Sequence, residues 1–166
     1  AILIISYSIF KVMQKELGVN LEKFKFFAGH SLGEYSALVC AESLNFLDAL
    51  YLLKERGKSM QEAVPVGEGA MTAVLGSTLD EINKKINNLS VKNGVCEIAN
   101  DNAVGQIIVS GDSNTMELFQ KNLKLKNIKS IPLPVSAPFH CSLMKAAADK
   151  MKEKILNTAF NIPKLN

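Results

Sequence analysis

The sequence contains few of the residues that mark metal sites, disulfide frameworks and nucleic-acid interfaces. Its 166 residues include two histidines and three widely spaced cysteines, Cys40, Cys96 and Cys141. Such cysteines form neither a disulfide framework nor a C-x-x-C metal pair, which is typical of a reducing compartment. The formal net charge of +3 gives no reason to expect a nucleic-acid-binding protein. These shortages predict a cytoplasmic protein that binds no metal and no nucleic acid.

A hydrophobic run long enough to cross a membrane is also lacking. The apolar opening AILIISYSIF is too short for a span, and no basic residues precede it as in a signal peptide. The opening continues as KVMQKELG, where Gly18 provides a helix stop. Five apolar residues near one helical face are Ile2, Ile5, Ile9, Val12 and Leu17. The pattern predicts a packed amphipathic helix and no contact with a membrane.

Further elements follow from the spacing of apolar residues and helix caps. The aromatic run KFKFFAG predicts a buried strand over residues 24–28, and a helix is expected to begin near Leu32. A long helix is expected to start with Ser43 as its cap. From residue 68 the elements alternate as β-α-β-β-α-β, with Thr78 or Asp80 near the start of the first helix. This order is the ferredoxin-like pattern.

The stretch FFAGHSLGEYSALVCA contains a G-x-S-x-G motif centred on Ser31. A predicted strand before the motif and a helix after it give the context that a nucleophile elbow requires. Gly29 and Gly33 would relieve crowding at the tight turn. The backbone N–H of Leu32, at the helix start, would face an oxyanion formed at the serine. The alternative is an ordinary serine in a glycine-containing loop.

A serine hydroxyl needs a base to become a nucleophile, and the sequence offers His30 or His140. His30 is next to Ser31 in the turn, where adjacent side chains point apart. His140 lies in a loop just before a helix, which is a common place for a catalytic base. The sequence favours His140, and a histidine without a chemical role is the alternative.

Arginine is nearly absent, because Arg56 is the one arginine among nineteen basic residues. Its planar fork matches a carboxylate in a way that lysine does not. Arg56 therefore predicts a site for a substrate carboxylate, with chance retention on a solvated helix face as the alternative.

Two other groups give weaker indications of function. Asn100 and Asn102 flank a predicted turn, and a basic run lies near a helix end. The run is Lys121, Lys124, Lys126 and Lys129, which would suit the helix dipole or attract an acidic partner.

Together these features resemble the malonyl-CoA:acyl carrier protein transacylase family of type II fatty acid synthesis. The similar stretches are GHSLGEYSAL, RGKSMQEAVP, GAMTAVLG, NDNAVGQIIVSG and LPVSAPFHCSLM, in that order. The resemblance implies an α/β fold with an α/β-hydrolase-like catalytic core and an inserted ferredoxin-like subdomain. The core would comprise residues 1–67 plus 135–166 and be incomplete, and the subdomain would comprise residues 68–134.

The resemblance also implies roles for particular residues. Ser31 would be the acylated nucleophile, His140 its base, and Arg56 the group that binds the free carboxylate of malonate. The other substrate-binding positions implied are Leu32, His30 and Asn102. Malonyl would pass from coenzyme A to Ser31 and then to the phosphopantetheine thiol of acyl carrier protein, with the coenzyme A thioester as substrate and no separate cofactor. Carrier docking is expected, more weakly, at Lys124, Lys126 and Lys129.

Members of this family have segments before and after the region that this sequence matches. We therefore expect an internal fragment of a monomeric enzyme, weakly active or inactive alone. Three alternatives stay open: a serine esterase or thioesterase, an inactive fragment, and an acyltransferase domain of a larger synthase. An esterase would release free acid to water and would not need Arg56.

Overall fold

The structure is a computed structural model that describes residues 1–20, 23–89 and 91–164. The last two residues of the predicted segment 135–166 lie outside the described residues. The helices of the described chain are α1 Ile2–Lys15, α2 Leu32–Cys40, α3 Phe46–Ala63, α4 Leu79–Asn87, α5 Ser113–Leu125 and α6 Lys145–Leu156. Its strands are β1 Gly69–Leu75, β2 Cys96–Ala103, β3 Gln106–Asp112 and β4 Lys129–Pro132. The chain divides into two compact units, one of Ala1–Gly57 with Met151–Asn166 and one of Lys58–Lys150.

The first unit is built on helices that bury apolar side chains against one another. The core residues are Leu3, Val39, Leu44, Ala49, Leu52 and Met151. The Tyr7 ring of α1 stacks on Phe46 of α3 with 5.0 Å between the ring centroids. A segment after α6 lies beside the loop before α3, where the Asn161 N–H donates to the Ser43 carbonyl at 2.8 Å. Local helices and one returning segment therefore form this unit.

Helix α1 has the predicted position but a different packed face. Its end at Lys15 and the left-handed Gly18, at φ +60°, confirm the predicted helix and its stop. The predicted packed side chains are wrong, because Ile2, Ile5, Ile9, Val12 and Leu17 are 49–68% exposed. Leu3 is buried instead, and Tyr7, one helical turn further on, packs beside it.

The predicted strand at residues 24–28 is wrong. No residue of this segment is in a strand, and Phe24 and Phe26 are exposed. An extended segment becomes a strand only when its backbone groups pair with a neighbouring strand. The four named strands of the described residues all belong to the sheet of the second unit.

The predicted cap of α3 is also wrong. The helix begins at Phe46, and the Asn45 side chain accepts a hydrogen bond from the Leu47 N–H at 2.8 Å. The Ser43 hydroxyl donates instead to the Asn161 carbonyl, at 2.8 Å. A partner distant in the sequence thus takes the hydroxyl that the local pattern assigned to the helix.

The second unit contains a four-stranded antiparallel sheet in the order β2-β3-β1-β4. The elements follow one another as β1-α4-β2-β3-α5-β4, which is the predicted order. Thr78 caps α4 with its side chain, and Glu81 completes a capping box. Buried residues of the sheet and the two helices form the main core: Val74, Ile82, Cys96, Ile107, Val109, Met116, Phe119 and Leu123.

Asp112 connects β3 to α5 through two backbone hydrogen bonds. Its carboxylate accepts from the Thr115 N–H at 2.9 Å and from the Val95 N–H at 2.6 Å. Burial alone would raise the pKa of Asp112, but these hydrogen bonds outweigh it and hold the pKa below its ordinary value. The ionised carboxylate therefore stabilises the junction.

We predict that Asp112→Ala lowers the free energy of unfolding by about 1–2 kcal/mol, because the helix loses its cap. The contribution of the carboxylate is complete above the unfolded pKa and is lost as the pH falls through the lower folded pKa. Urea unfolding of wild type and Asp112→Asn should therefore differ at about pH 6 and converge towards about pH 2. A difference that does not change with pH would contradict the assigned role.

Candidate active site

Ser31 lies in a strained turn directly before α2. Its backbone has φ +54° and ψ −109°, and its side chain makes no capping hydrogen bond to the helix. Hydrogen bonds from the Gly33 N–H to the His30 carbonyl, at 2.9 Å, and from the Glu34 N–H to the Ser31 carbonyl, at 3.2 Å, close the turn. Non-glycine residues with such backbones persist mainly where the surrounding structure enforces them, often at functional sites. A strained turn followed by a helix is one half of the predicted nucleophile elbow, and the strand predicted before it does not occur in the described residues.

The two glycines of the motif are not equivalent. A Cβ built on Gly29 would lie 1.9 Å from the Gly33 carbonyl oxygen, which is far inside van der Waals contact. A Cβ on Gly33 would meet no heavy atom of the described residues within 4 Å. The steric reason predicted for both glycines therefore applies to Gly29 alone.

Arg56, in α3, lies beside Ser31. Its Nη2 donates a hydrogen bond to Ser31 Oγ at 2.8 Å, and both residues are half-buried. The structure thus brings together the predicted nucleophile and the predicted carboxylate-binding residue within one unit. A guanidinium has five N–H donors, so it can bond the hydroxyl and still offer donors to an incoming anion.

The two sequence neighbours of Ser31 differ in their surroundings. Leu32 is the first residue of α2, and its N–H donates no hydrogen bond to any of the described residues. The first N–H groups of a helix have no partner within the helix, so this donor is available to a developing oxyanion. His30 is exposed.

Tyr35 is a neighbour of Arg56 that was not among the residues predicted for the site. Burial raises the pKa of its phenol above the ordinary value, while the Arg56 charge opposes the rise and the Glu34 charge adds to it. Tyr35 lies in the first turn of α2, four residues after Ser31, and this closeness in the sequence was the signal available.

His140 belongs to the second unit, in a loop between buried residues. Its own side chain is exposed and its backbone has φ +61°, an uncommon value for a residue with a Cβ. Ala137 and Pro138 before it are buried, and the Cys141 thiol donates to the Pro138 carbonyl at 3.1 Å. Glu97, which the sequence analysis did not single out, binds the loop at Ser142.

Asn102 and the predicted basic run also lie in the second unit. Asn102 is exposed within β2, at a register shift in its pairing with β3, so the predicted turn begins later than expected. A groove of about 620 Å³ beside α5 and β4 is lined by Lys121, Lys124 and Lys129 among other residues. Lys126 is the C-cap of α5 and does not line this groove.

Two further findings concern the described residues only. They contain no group of three or more His, Cys, Asp or Glu side chains that could hold a metal ion. None of their helices is both long and apolar enough to span a bilayer.

The thiols of Cys96 and Cys141 are poor nucleophiles. Burial raises the pKa of the Cys141 thiol, and burial together with the Asp112 charge raises the pKa of the Cys96 thiol to about 12.

We predict opposite effects for alanine at the two glycines of the elbow. Gly29→Ala should lower the free energy of unfolding by about 1–3 kcal/mol, because the new methyl group overlaps backbone. Gly33→Ala is the matched control and should raise stability by up to about 1 kcal/mol, since alanine is a better helix residue. Urea unfolding of both variants measures the difference, and equal effects would refute the steric argument.

Comparisons with known proteins identify relatives along the whole chain. Residues 1–166 match the family described as acyl transferase domain. The chain is 48% identical over 141 residues to the malonyl CoA-acyl carrier protein transacylase of Bacillus subtilis strain 168, covering 80% of this chain and 44% of that one. The structure of the Coxiella burnetii malonyl CoA-acyl carrier protein transacylase superposes with a TM-score of 0.92 at 40% identity, covering 98% of this chain and 51% of that one.

A third comparison is with the complex PlMCAT:AntF, a type II PKS acyl-carrier protein with its malonyl-transacylase. It gives a TM-score of 0.91 at 38% identity, covering 98% of this chain and 52% of that one. The chain spans about half the length of the curated relatives it matches. These names confirm the predicted resemblance. From the match over its full length, the chain belongs to the acyl transferase domain family.

Proposed function

We propose that the protein moves a malonyl group from coenzyme A to the phosphopantetheine thiol of acyl carrier protein, through an ester on Ser31. The observation that supports this best is the 2.8 Å hydrogen bond from Arg56 Nη2 to Ser31 Oγ. In a malonyl ester a single methylene separates the ester carbonyl from the free carboxylate. A guanidinium beside the ester oxygen can therefore reach that carboxylate and bind it with two parallel hydrogen bonds.

In the first half-reaction, the Ser31 hydroxyl attacks the thioester carbonyl of malonyl-CoA while His140 accepts its proton. The tetrahedral intermediate places negative charge on the carbonyl oxygen, where the Leu32 N–H donates a hydrogen bond. The carbon–sulfur bond then breaks, and coenzyme A leaves as a thiol after receiving the proton from His140.

In the second half-reaction, the phosphopantetheine thiol of the carrier attacks the Ser31 ester. His140 takes the thiol proton, a second tetrahedral intermediate forms, and the ester bond to Ser31 breaks. The proton returns to Ser31 Oγ, so the enzyme is regenerated and malonyl remains on the carrier. His30 and Asn102 are proposed to line the substrate site.

The proposed architecture is an α/β-hydrolase-like core of residues 1–67 and 135–166 with a ferredoxin-like insertion at 68–134. The element order β1-α4-β2-β3-α5-β4 and the antiparallel sheet order β2-β3-β1-β4 support the inserted part. The monomeric state and the cytoplasmic location stay predictions.

A serine esterase or thioesterase is the competing function. Both enzymes would acylate Ser31, but an esterase passes the acyl group to water. Arg56 favours the transferase, because a charged side chain bonded to the nucleophile serves a carboxylated acyl group and not a plain one. Release of free malonate without carrier, as fast as transfer to carrier, would favour the esterase.

We predict that brief exposure of the full-length protein to malonyl-CoA gives a malonyl adduct in intact-mass spectra. Ser31→Ala should abolish the adduct. Arg56→Ala should slow formation of the malonyl adduct by about ten- to a hundredfold, because a hydrogen bond to a charged group contributes about that much to binding. When acetyl-CoA competes, the same variant should show a higher ratio of acetyl to malonyl adduct.

Arg56→Lys is the control for charge without the planar fork, and it should restore part of the preference for malonyl. A malonyl adduct that persists in Ser31→Ala would contradict the nucleophile. An unchanged malonyl preference in Arg56→Ala would contradict the carboxylate-binding role.

We propose that the groove beside α5 and β4 attracts the carrier protein. Lys121, Lys124 and Lys129 give it a basic lining, although Lys121 already pairs with Glu117 at 2.6 Å. Charges at such a surface mainly accelerate encounter with a partner of opposite charge.

We predict that the double variant Lys124→Glu and Lys129→Glu lowers kcat/KM for carrier roughly tenfold at low salt, and less at high salt, because steering is screened. Acylation by malonyl-CoA should not change. Lys126→Glu, compared with the single variant Lys124→Glu, is the control with the same change of charge outside the groove. An equal loss in this control would show that net charge, and not the groove, is responsible.

A further inference from the structure

Glu97 makes a contact that joins two distant parts of the second unit. One oxygen of its carboxylate accepts a hydrogen bond from the Ser142 N–H at 2.8 Å, and the other accepts from the Ser142 hydroxyl at 2.5 Å. Glu97 lies half-buried in β2, forty-five residues from Ser142 in the sequence. Two charge-assisted hydrogen bonds to one residue fix both its backbone and its side chain.

The contact supplies what the start of the following helix lacks. Ser142 is the first residue of a short 3-10 helix, Ser142–Met144, that leads directly into α6. Neither helix has an acidic residue in its first turn, and Cys141 at the N-cap makes no capping hydrogen bond. A carboxylate at a helix start satisfies a free N–H and interacts favourably with the helix dipole. Glu97 performs this role from a strand.

The same contact limits the movement of His140. The histidine has a left-handed φ of +61°, which surrounding structure must maintain. On its N-terminal side the chain is held by buried Ala137 and Pro138. On its C-terminal side the exposed Ser142 is held by the Glu97 carboxylate. The imidazole is thus attached to a loop that is fixed at both ends.

We propose that Glu97 is a positioning residue for His140: by binding Ser142 it fixes the loop that carries the imidazole. The inference rests on the proposed function, because the role of His140 as base belongs to it. A base displaced by about 1 Å can lose a hundredfold in rate. Substrate binding at Arg56 uses different residues, so the effect should fall on kcat.

The test compares Glu97→Ala, Glu97→Gln and Asp101→Ala in the full-length protein. Glutamine can accept from the Ser142 N–H through its oxygen and donate to the Ser142 hydroxyl through its amide, so it preserves both contacts. Asp101→Ala is the matched control, because it removes an exposed carboxylate from the same strand. Two readouts are needed: malonyl transfer to carrier, and the imidazole NMR signals of His140 with amide exchange at residues 140–144.

We expect Glu97→Ala to lower kcat by about ten- to a hundredfold with little change in KM for malonyl-CoA. Its His140 signals should broaden or shift, and its amides at 142–144 should exchange faster. Glu97→Gln should recover most of the rate, and Asp101→Ala should match wild type. Unchanged kcat and loop exchange in a folded Glu97→Ala protein would overturn the proposal.

The two proposals fail in distinguishable ways. If wild type forms no acyl-Ser31, the transferase proposal fails. The His140 signals and the amide exchange at residues 140–144 in Glu97→Ala then show by themselves whether Glu97 holds the loop. If wild type transfers malonyl and Glu97→Ala loosens the loop without lowering kcat, the positioning role is wrong and the transferase stands. A fall in kcat with an undisturbed His140 and loop would equally overturn positioning.

Discussion

The close approach of two backbone segments at Gly29 is the constraint on which the candidate site of the first unit depends. The Gly33 carbonyl occupies the space where a Cβ of residue 29 would lie. This approach turns the chain sharply enough for Ser31 to take its strained backbone at the very start of α2. The hydroxyl then points to Arg56 rather than to the helix N-terminus. A side chain at residue 29 would displace the turn, the hydroxyl and its hydrogen bond together.

Each unit carries a candidate site residue, Ser31 or His140, beside residues that are buried. Ser36 and Val39 are buried one and two turns after Ser31, which itself stays partly accessible. Ala137 and Pro138 are buried just before the exposed His140. Packing thus fixes the backbone that carries each of these two candidate site residues, and leaves their side chains accessible.

The sequence predicted those features whose causes are local. Gly18 follows the end of α1, Thr78 caps α4, and the strands and helices of the second unit come in the predicted order. These features follow from close neighbours in the sequence and from the periodicity of apolar residues. Features that need distant partners could not be predicted in this way. Residues 24–28 have strand composition but no paired strand, and Ser43 bonds a residue far along the chain.

The candidate site shows the same division. The motif around Ser31 and the single arginine were sufficient to select two residues that the structure joins by a hydrogen bond. Glu97 could not be found, because its partner lies forty-five residues away and nothing near it in the sequence marks the contact. Asn102 was predicted to flank a turn, whereas it lies within β2 at a shift in the pairing with β3.

The left-handed backbones of Ser31 and His140 have a consequence for which residues suit these two positions. Glycine accepts such conformations at no steric cost, whereas residues with a Cβ pay of order 1–3 kcal/mol. Glycine would relieve the strained backbone at both positions, and at Glu42, Asn93 and Asn127 as well. The stability of the fold therefore does not account for a serine and a histidine at these two places, whereas the chemical roles proposed for Ser31 and His140 would.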